Sequence, residues 1–220
     1  EETAQTIYKQ WFVDFEFPDE NGKPYKSNGG KMVWCEELEK KIPEKWSFRT
    51  LGLLSDIIAG GDKPLVFSES KTDLCNIPVI SNSSSNYGIY GYTNKANVRG
   101  NSITISARGA IIGYTVLRLY EFYPIVRLIV VKPKKNDLLN YLFYTILNIK
   151  FDNQTSSAQG QLTIPDISSK LLIRPDDKIL SSFQKLSSVI LDCINFKNLE
   201  NQKLEELKEL LLGRMVRVEN

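Results

Sequence analysis

Residues 179–215, ILSSFQKLSSVILDCINFKNLENQKLEELKELLLGRM, contain no proline, and their single glycine is Gly213 near the end. Leu186, Val189 and Ile190, Cys193, Phe196 and Lys197, Glu200, Leu204, Leu207 and Leu211 recur at steps of three and four. That period predicts one long helix from Ile179 to Met215 with a nearly continuous seam on one side. Glu200 and Lys197 weaken the seam midway and mark a place where the helix can bend. Globular helices average about 11 to 12 residues, so a ridge this long exceeds what a small domain buries by itself. Pairing with another helix through Leu186, Ile190, Cys193, Leu204, Leu207 and Leu211 is the expected solution, and a helix lying flat on its own sheet is the alternative.

Other periods govern the chain before it. In residues 2–15, Ala4, Ile7 and Tyr8, Trp11 and Phe15 are three and four apart, which predicts a helix with one aromatic face that must dock on something. PDENGKPYKSNGGK (18–31) reads as a loop. Residues 43–175 alternate as strands do in WSFRTL (46–51), IPVIS (77–81), NSITISARG (101–109), IIGYTVLRLY (111–120) and IVRLIVV (125–131). NDLLNYLFYTILN (136–148) reads as a helix capped by Asn136 or Asp137. The expected class is α+β, a strand-rich mixed domain followed by a long C-terminal coiled-coil helix. The segments are 1–42, 43–178 and 179–220.

Composition excludes several function classes. The 220 residues are 42% apolar, enough for a real core. The apolar stretch at 118–131 is short and carries Arg118, Glu121 and Arg127, so no membrane span is expected. No signal-peptide pattern opens the residues, which makes the cytoplasm the expected address. Cys35, Cys75 and Cys193 are widely spaced, against both a disulfide framework and a structural zinc site. There is no histidine, which removes the commonest general base. No GxGxxG, P-loop or GxSxG occurs. A nuclease built on Asp73, Asp152 and Asp166 with magnesium is a rival reading, weakened by their irregular spacing.

Charge is uneven along the chain. Residues 1–59 carry 8 Lys/Arg against 11 Asp/Glu, residues 60–175 carry 13 against 7, and residues 176–220 carry 7 against 8. A basic middle between near-neutral ends is the footprint of a face that meets a polyanion while the remainder meets proteins. Within that middle, SNSSSNYGIYGYTNKANVRG (81–100) is polar, aromatic-interleaved and basic at its end. Asn86, Tyr90, Tyr92, Asn94, Lys95 and Arg99 are of the types that read base edges or hold phosphates, set against an ordinary surface hairpin loop. ARGA (107–110) reads as a tight turn exposing Arg108 to phosphate or to a salt bridge within the fold. NQTSSAQGQ (153–161) offers Gln154, Ser156, Ser157, Gln159 and Gln161, with a glutamine bidentate to adenine or simply capping its loop. Gly60 and Gly61 before Lys63 bring backbone close to phosphate or serve a turn needing positive φ. Lys132, Lys134 and Lys135 read as a solvated face. Trp34 and Trp46 read as core anchors.

Together AQTIYKQWFVDFEFPDENGKPYKSNGGKMVW (4–34), IPEKWSFRTLGLLSDIIAGGDKP (42–64), NSITISARGAIIG (101–113), SSAQGQLTIPDISSKLLIRP (156–175) and KLEELKELLLGRMV (203–216) resemble the specificity (S) subunit of type I restriction-modification systems, in the right order over nearly the whole chain. The resemblance implies a recognition subunit without catalysis. Such subunits are two similar halves, each a target recognition domain followed by a long helix, the two helices packing antiparallel as a spacer. Only one such half is present here. Residues 1–42 then resemble the end of a central spacer helix with its connecting region, 43–178 a target recognition domain, and 179–220 a coiled-coil spacer helix.

The implied partners are double-stranded DNA, methyltransferase (M) subunits and a restriction (R) subunit. A second copy, or the other half of the S subunit, would pair through the long helix. S-adenosylmethionine, ATP and magnesium would belong to the partner subunits, and none is expected in this chain, which also lacks the Pro-Pro of the NPPF/Y-type adenine methyltransferase motif. The missing initiator methionine favours excision or trimming over a natural half subunit as the expectation. A dimeric sequence-specific DNA-binding protein acting without a methyltransferase is the alternative.

Overall fold

A computed structural model describes residues 2–151 and 160–218, with backbone alone at 194, 195, 198, 199, 201, 202, 205, 206, 209, 210 and 212–218. The opening helix α1, Glu2–Tyr8, passes into a π turn at Lys9–Val13. A π turn holds one more residue than an α turn, so the buried positions run Ala4, Tyr8, Phe12 at steps of four, and Phe12 takes the place that the α period assigns to Trp11. Trp11 is left half-buried. Phe15 ends the turn in a left-handed conformation (φ 63°) and its ring meets Trp46 edge-on at 5.7 Å. The expected loop follows, pinned by Asp19, whose carboxylate accepts from the amides of Asn21 (2.8 Å) and Lys23 (2.9 Å).

The middle of the chain is built on strands. A hairpin of β1 (Met32–Cys35) and β2 (Lys40–Pro43) leads to β3 (Ser47–Thr50), a single helical turn α2 (Leu51–Leu54) and β4 (Ser55–Ala59). Then come β5 (Ile77–Ile80), β6 (Ile89–Thr93), β7 (Ser102–Ser106), β8 (Thr115–Arg118), β9 (Tyr123–Pro124) and β10 (Leu128–Pro133). Helices α3 (Leu139–Leu147) and α4 (Ile164–Ser168) precede β11 (Leu171–Arg174) and the final helix α5 (Asp177–Val218). The largest sheet is antiparallel in the order β4-β10-β7-β8, and a second has the order β6-β5-β9 with β5 and β9 parallel. Strand β10 serves both layers because strand side chains alternate. Ile129 and Val131 enter the large core with Ile103 and Ile105, while Leu128 and Val130 enter a small core with Ile80, Val98 and Phe122.

Strand β11 pairs with β3, Leu171 opposite Thr50, so both ends of the strand-rich segment lie side by side where α5 begins. Asp176 caps that helix, accepting from Ile179 N at 3.0 Å and from Trp46 Nε1 at 3.2 Å. Arg174 and then Lys135 hold the Asp177 carboxyl below its usual range by hydrogen bonding. The first turns of α5 are part of the domain. Leu180 and Phe183 are fully buried, and Ser187 accepts from Asn140 Nδ2 at 2.8 Å. The seam read from the sequence therefore divides. Ile179, Leu180 and Phe183 pack on the helix's own domain and Ile190 lies partly against it, whereas Leu186, Cys193, Leu204, Leu207 and Leu211 face outward.

Three further expectations are corrected. Neither Asn136 nor Asp137 caps the helix at 136–148: a 3₁₀ turn opens it, and Gln184 of α5 accepts the Asn140 amide at 3.1 Å. Trp46 is a core anchor, but Trp34 is 55% exposed on β1. The stretch 81–100 contains strand β6 rather than loop throughout.

Phe183 is fully buried against the rings of Tyr8, Trp11, Phe12 and Tyr144, so Phe183→Ala should cost about 3–5 kcal/mol in urea unfolding. Leu207→Ala, 55% exposed, should change single-chain stability by less than about 0.5 kcal/mol. Burial pushes the Tyr8 hydroxyl up from 10.0 to about 12, its hydrogen bond to Thr145 pulling the other way. The folded protein then holds a proton the unfolded chain releases, so stability should fall as pH rises from 10 towards 12. Tyr8→Phe should make that alkaline loss shallower, measured as urea midpoints across pH 9 to about 11.5.

Candidate nucleic-acid interface

Strand β6 reads IYGYT, and its period of two puts Ile89, Gly91 and Thr93 on one face and Tyr90 and Tyr92 on the other. Tyr90 is exposed and Tyr92 half-buried, while Gly91 and Thr93 are buried. The chain at 66–68 runs along the free edge of β6: Ser68 and Tyr92 exchange backbone hydrogen bonds of 2.9 and 2.8 Å, and Thr93 Oγ1 donates to the Val66 carbonyl at 2.6 Å. Only glycine fits at 91, where a Cβ would stand 2.4 Å from the Phe67 ring and 2.6 Å from the Ser68 carbonyl. This edge pairing brings Lys63 to β6. Its ammonium sits 3.5 Å from the Phe67 ring centre and 5.3 Å from that of Tyr90, a cation–π contact on a tilted aromatic pair 5.4 Å apart. Two stretches singled out separately in the sequence thus meet. Gly60 and Gly61 are not at positive φ, and a Cβ at Gly60 would stand 2.1 Å from the Ile125 carbonyl, so close packing requires glycine there.

The turn between β5 and β6 is unusual in its backbone. Asn86, Tyr87 and Gly88 are all left-handed, with φ of 47°, 51° and 82°. Ser81 N donates to Gly88 O at 2.8 Å, and Arg118 Nη2 donates to Tyr87 O at 2.6 Å. Asn86 is exposed at the tip. Asn82, which the sequence did not single out, donates from Nδ2 to the Arg108 carbonyl at 2.9 Å and so ties this turn to ARGA. Arg108 is half-buried rather than exposed, and its backbone bridges to Gln161, with Leu162 N on Ala107 O at 2.8 Å. Gln161 therefore joins Arg108 and Asn82, whereas Gln154, Ser156, Ser157 and Gln159 lie outside the described residues.

Asn94, Lys95 and Arg99 are exposed in the connection from β6 to β7, which Val98 anchors by pairing with Phe122. Among the described residues, Lys63, Lys95 and Arg99 carry no ion pair, which leaves their charge available to a polyanion. Tyr87 and Tyr120 are also exposed beside this turn and were not foreseen; the aromatic interleaving of 87–92 was the available signal for Tyr87.

Elsewhere, a cleft of about 520 Å³ at the start of α5 is lined by Lys45, Arg49, Leu53, Arg174 and Asp176 among others, none of them sequence-predicted site residues. Asp166 works as a structural cap: its carboxylate accepts from Thr163 N at 2.8 Å and Oγ1 at 2.7 Å, closing a capping box on α4. Among the described residues no helix is long and apolar enough to cross a membrane. The β6 edge offers a direct check. Gly91→Ala should cost about 1–3 kcal/mol and free the 66–68 segment, seen as faster amide exchange at Ser68 and Tyr92 than in the β7–β10 pair.

Comparison with known proteins shows the family of the chain. Residues 43–209 match the type I restriction modification DNA specificity domain. The type I restriction enzyme MjaIX specificity subunit of Methanocaldococcus jannaschii is 24% identical over 237 residues, covering 98% of this chain and 52% of that one. A Mycoplasma pneumoniae protein named as a type I specificity subunit is 36% identical over 126 residues, 57% of this chain and 37% of its own length. The S subunit of the type I restriction-modification system of M. genitalium shares the fold, with a TM-score of 0.66 at 16% identity, over 96% of this chain and 52% of that one. The chain thus spans about half the length of these relatives, or less. With the matched region extending from β3 through most of α5, the chain belongs to the type I restriction-modification DNA specificity domain family.

Proposed function

We propose that this chain reads one half-site of a bipartite duplex DNA target, as half of a specificity subunit that docks methyltransferase and restriction subunits. The observation that carries the reading is the set of exposed and half-buried side chains on and around β6. Tyr90 and Tyr92 share one strand face, Lys63 is seated on Phe67 beside the first of them, and Lys95 and Arg99, which carry no ion pair among the described residues, follow with Asn94. Cations hold phosphates and amides read base edges, where the major groove distinguishes all four base pairs. Strand β6, paired on one side with β5 and on the other with Ser68, holds the two tyrosines in constant relation. The outward ridge of α5, from Leu186 to Leu211, supports pairing with the matching helix of a second copy or of the other half of the subunit.

Selection from a library of random short duplexes tests the reading. The chain should enrich one short motif, and binding with no enrichment would overturn it. Lys95→Ala and Arg99→Ala should weaken all sequences alike and each lower the salt slope by about 0.9. Asn94→Ala and Tyr90→Ala should alter base preference by about 1–3 kcal/mol at single positions. Leu204→Lys with Leu207→Lys should shift light-scattering mass from a pair of chains to one. Capture of a methyltransferase subunit encoded beside this chain should accompany motif selection; a selecting chain that holds none acts as a regulator instead.

A further inference from the structure

Arg118, the last residue of β8, is 2% exposed, and among the described residues no carboxylate pairs with it. Buried guanidinium groups ordinarily keep a carboxylate, because desolvating an unpaired charge is costly. Here the fork is spread over three neutral acceptors. Nε donates to Thr104 Oγ1 at 3.1 Å, Nη1 to the Tyr120 hydroxyl at 2.9 Å and Nη2 to the Tyr87 carbonyl at 2.6 Å. Thr104 lies on β7, Tyr120 just after β8, and Tyr87 at the tip of the β5–β6 turn. A planar group with diverging donors can hold three such points at once, whereas a lysine ammonium is a single point on a flexible stem.

What the fork holds is an unfavourable backbone. Asn86 and Tyr87 both have positive φ, which non-glycine residues keep only where their surroundings over-determine it. Drawing the Tyr87 carbonyl inward leaves the Tyr87 ring and Asn86 outward, immediately before β6. We infer that Arg118 is a positioning residue for DNA reading: the fork of Arg118 locks the Ser85–Gly88 turn in the shape that presents Asn86 and Tyr87 to base edges. Its own burial keeps it from touching DNA. The inference rests on the DNA-reading function proposed above.

The test compares the full chain with Arg118→Lys, Thr104→Val and Thr104→Ser in three measurements: amide exchange across 85–90, motif selection from random duplexes, and the salt slope on one fixed duplex outside the selected motif. Arg118→Lys and Thr104→Val should speed exchange at 85–90 by about tenfold or more while β7 and β10 stay protected. Both should flatten preference about tenfold at one or two positions of the motif, with an unchanged salt slope. Thr104→Ser, which keeps the acceptor, should restore the wild-type motif. A full-strength motif in Arg118→Lys, or a uniform loss of affinity with a lowered slope, would overturn the assignment. Should Arg118→Lys fail to fold, Thr104→Val against Thr104→Ser decides the same question. If the wild-type chain selects no motif, the DNA-reading function fails, and exchange at 85–90 still decides whether the fork orders the turn.

Discussion

Phe12 stands where the three parts of the chain meet. Its ring lies 4.9 Å from Phe183 of α5, 4.8 Å from Tyr141 of α3 and 5.8 Å from Trp46 at the start of the strand-rich segment. Each such ring buries on the order of 150–250 Å², and edge-on pairs add about 0.5–1.5 kcal/mol. The opening segment is therefore a wall of the core, and without it Phe183 and Tyr141 would face water. The π turn makes this geometry available by moving the buried position from Trp11 to Phe12. From this cluster α5 leaves at an angle fixed by the Asp176 cap and the Trp46 hydrogen bond, and its later turns carry their leucines outward.

Much of this was legible in the residues, within the limits of what periodicity encodes. A step of three and four says that a helix has an apolar side; it does not say which neighbour covers it. Hence one seam could be read from Leu186 to Leu211 while Phe183 and Ser187, just before it, belong to the domain through Tyr8 and Asn140. Strands β5, β7, β8 and β10 announced themselves by their β-branched residues. Strand β6 did not, because its centre is Gly91 and its flanks are asparagine, serine and glycine, the composition of a loop. A regular α period was assumed at the start, and nothing local in YKQWFVDF distinguishes an α turn from a π turn.

For the site, residue types were readable and partnerships were not. Lys63 and Tyr90 were both named from the sequence, but their meeting depends on the 66–68 edge pairing across more than twenty residues, which Gly91 alone permits. Asn82 and Arg118 were passed over because their work is internal: each gives a donor to a distant backbone carbonyl, and such pairings leave no spacing rule. Trp34 fails in the opposite direction, a ring typed as core that the pairing of β1 with β2 leaves exposed.

Strand β10 joins the two cores of the fold. Ile129 and Val131 pack on the side that seats α3 and the first turns of α5, and Leu128 and Val130 pack on the side that carries β5 and its partner β6. A displacement at either layer passes into strands buried on both faces, β10 and its neighbour β7, and close-packed interiors transmit displacement rather than absorb it. In the proposed reading this stiffness has a defined purpose. Successive base pairs are about 3.4 Å apart along the duplex, so a spacer helix joined to its reading strand by a mobile link would accept half-sites one step too near or too far. A linkage through doubly buried strands would resist that error and make the spacing between half-sites part of what is recognised.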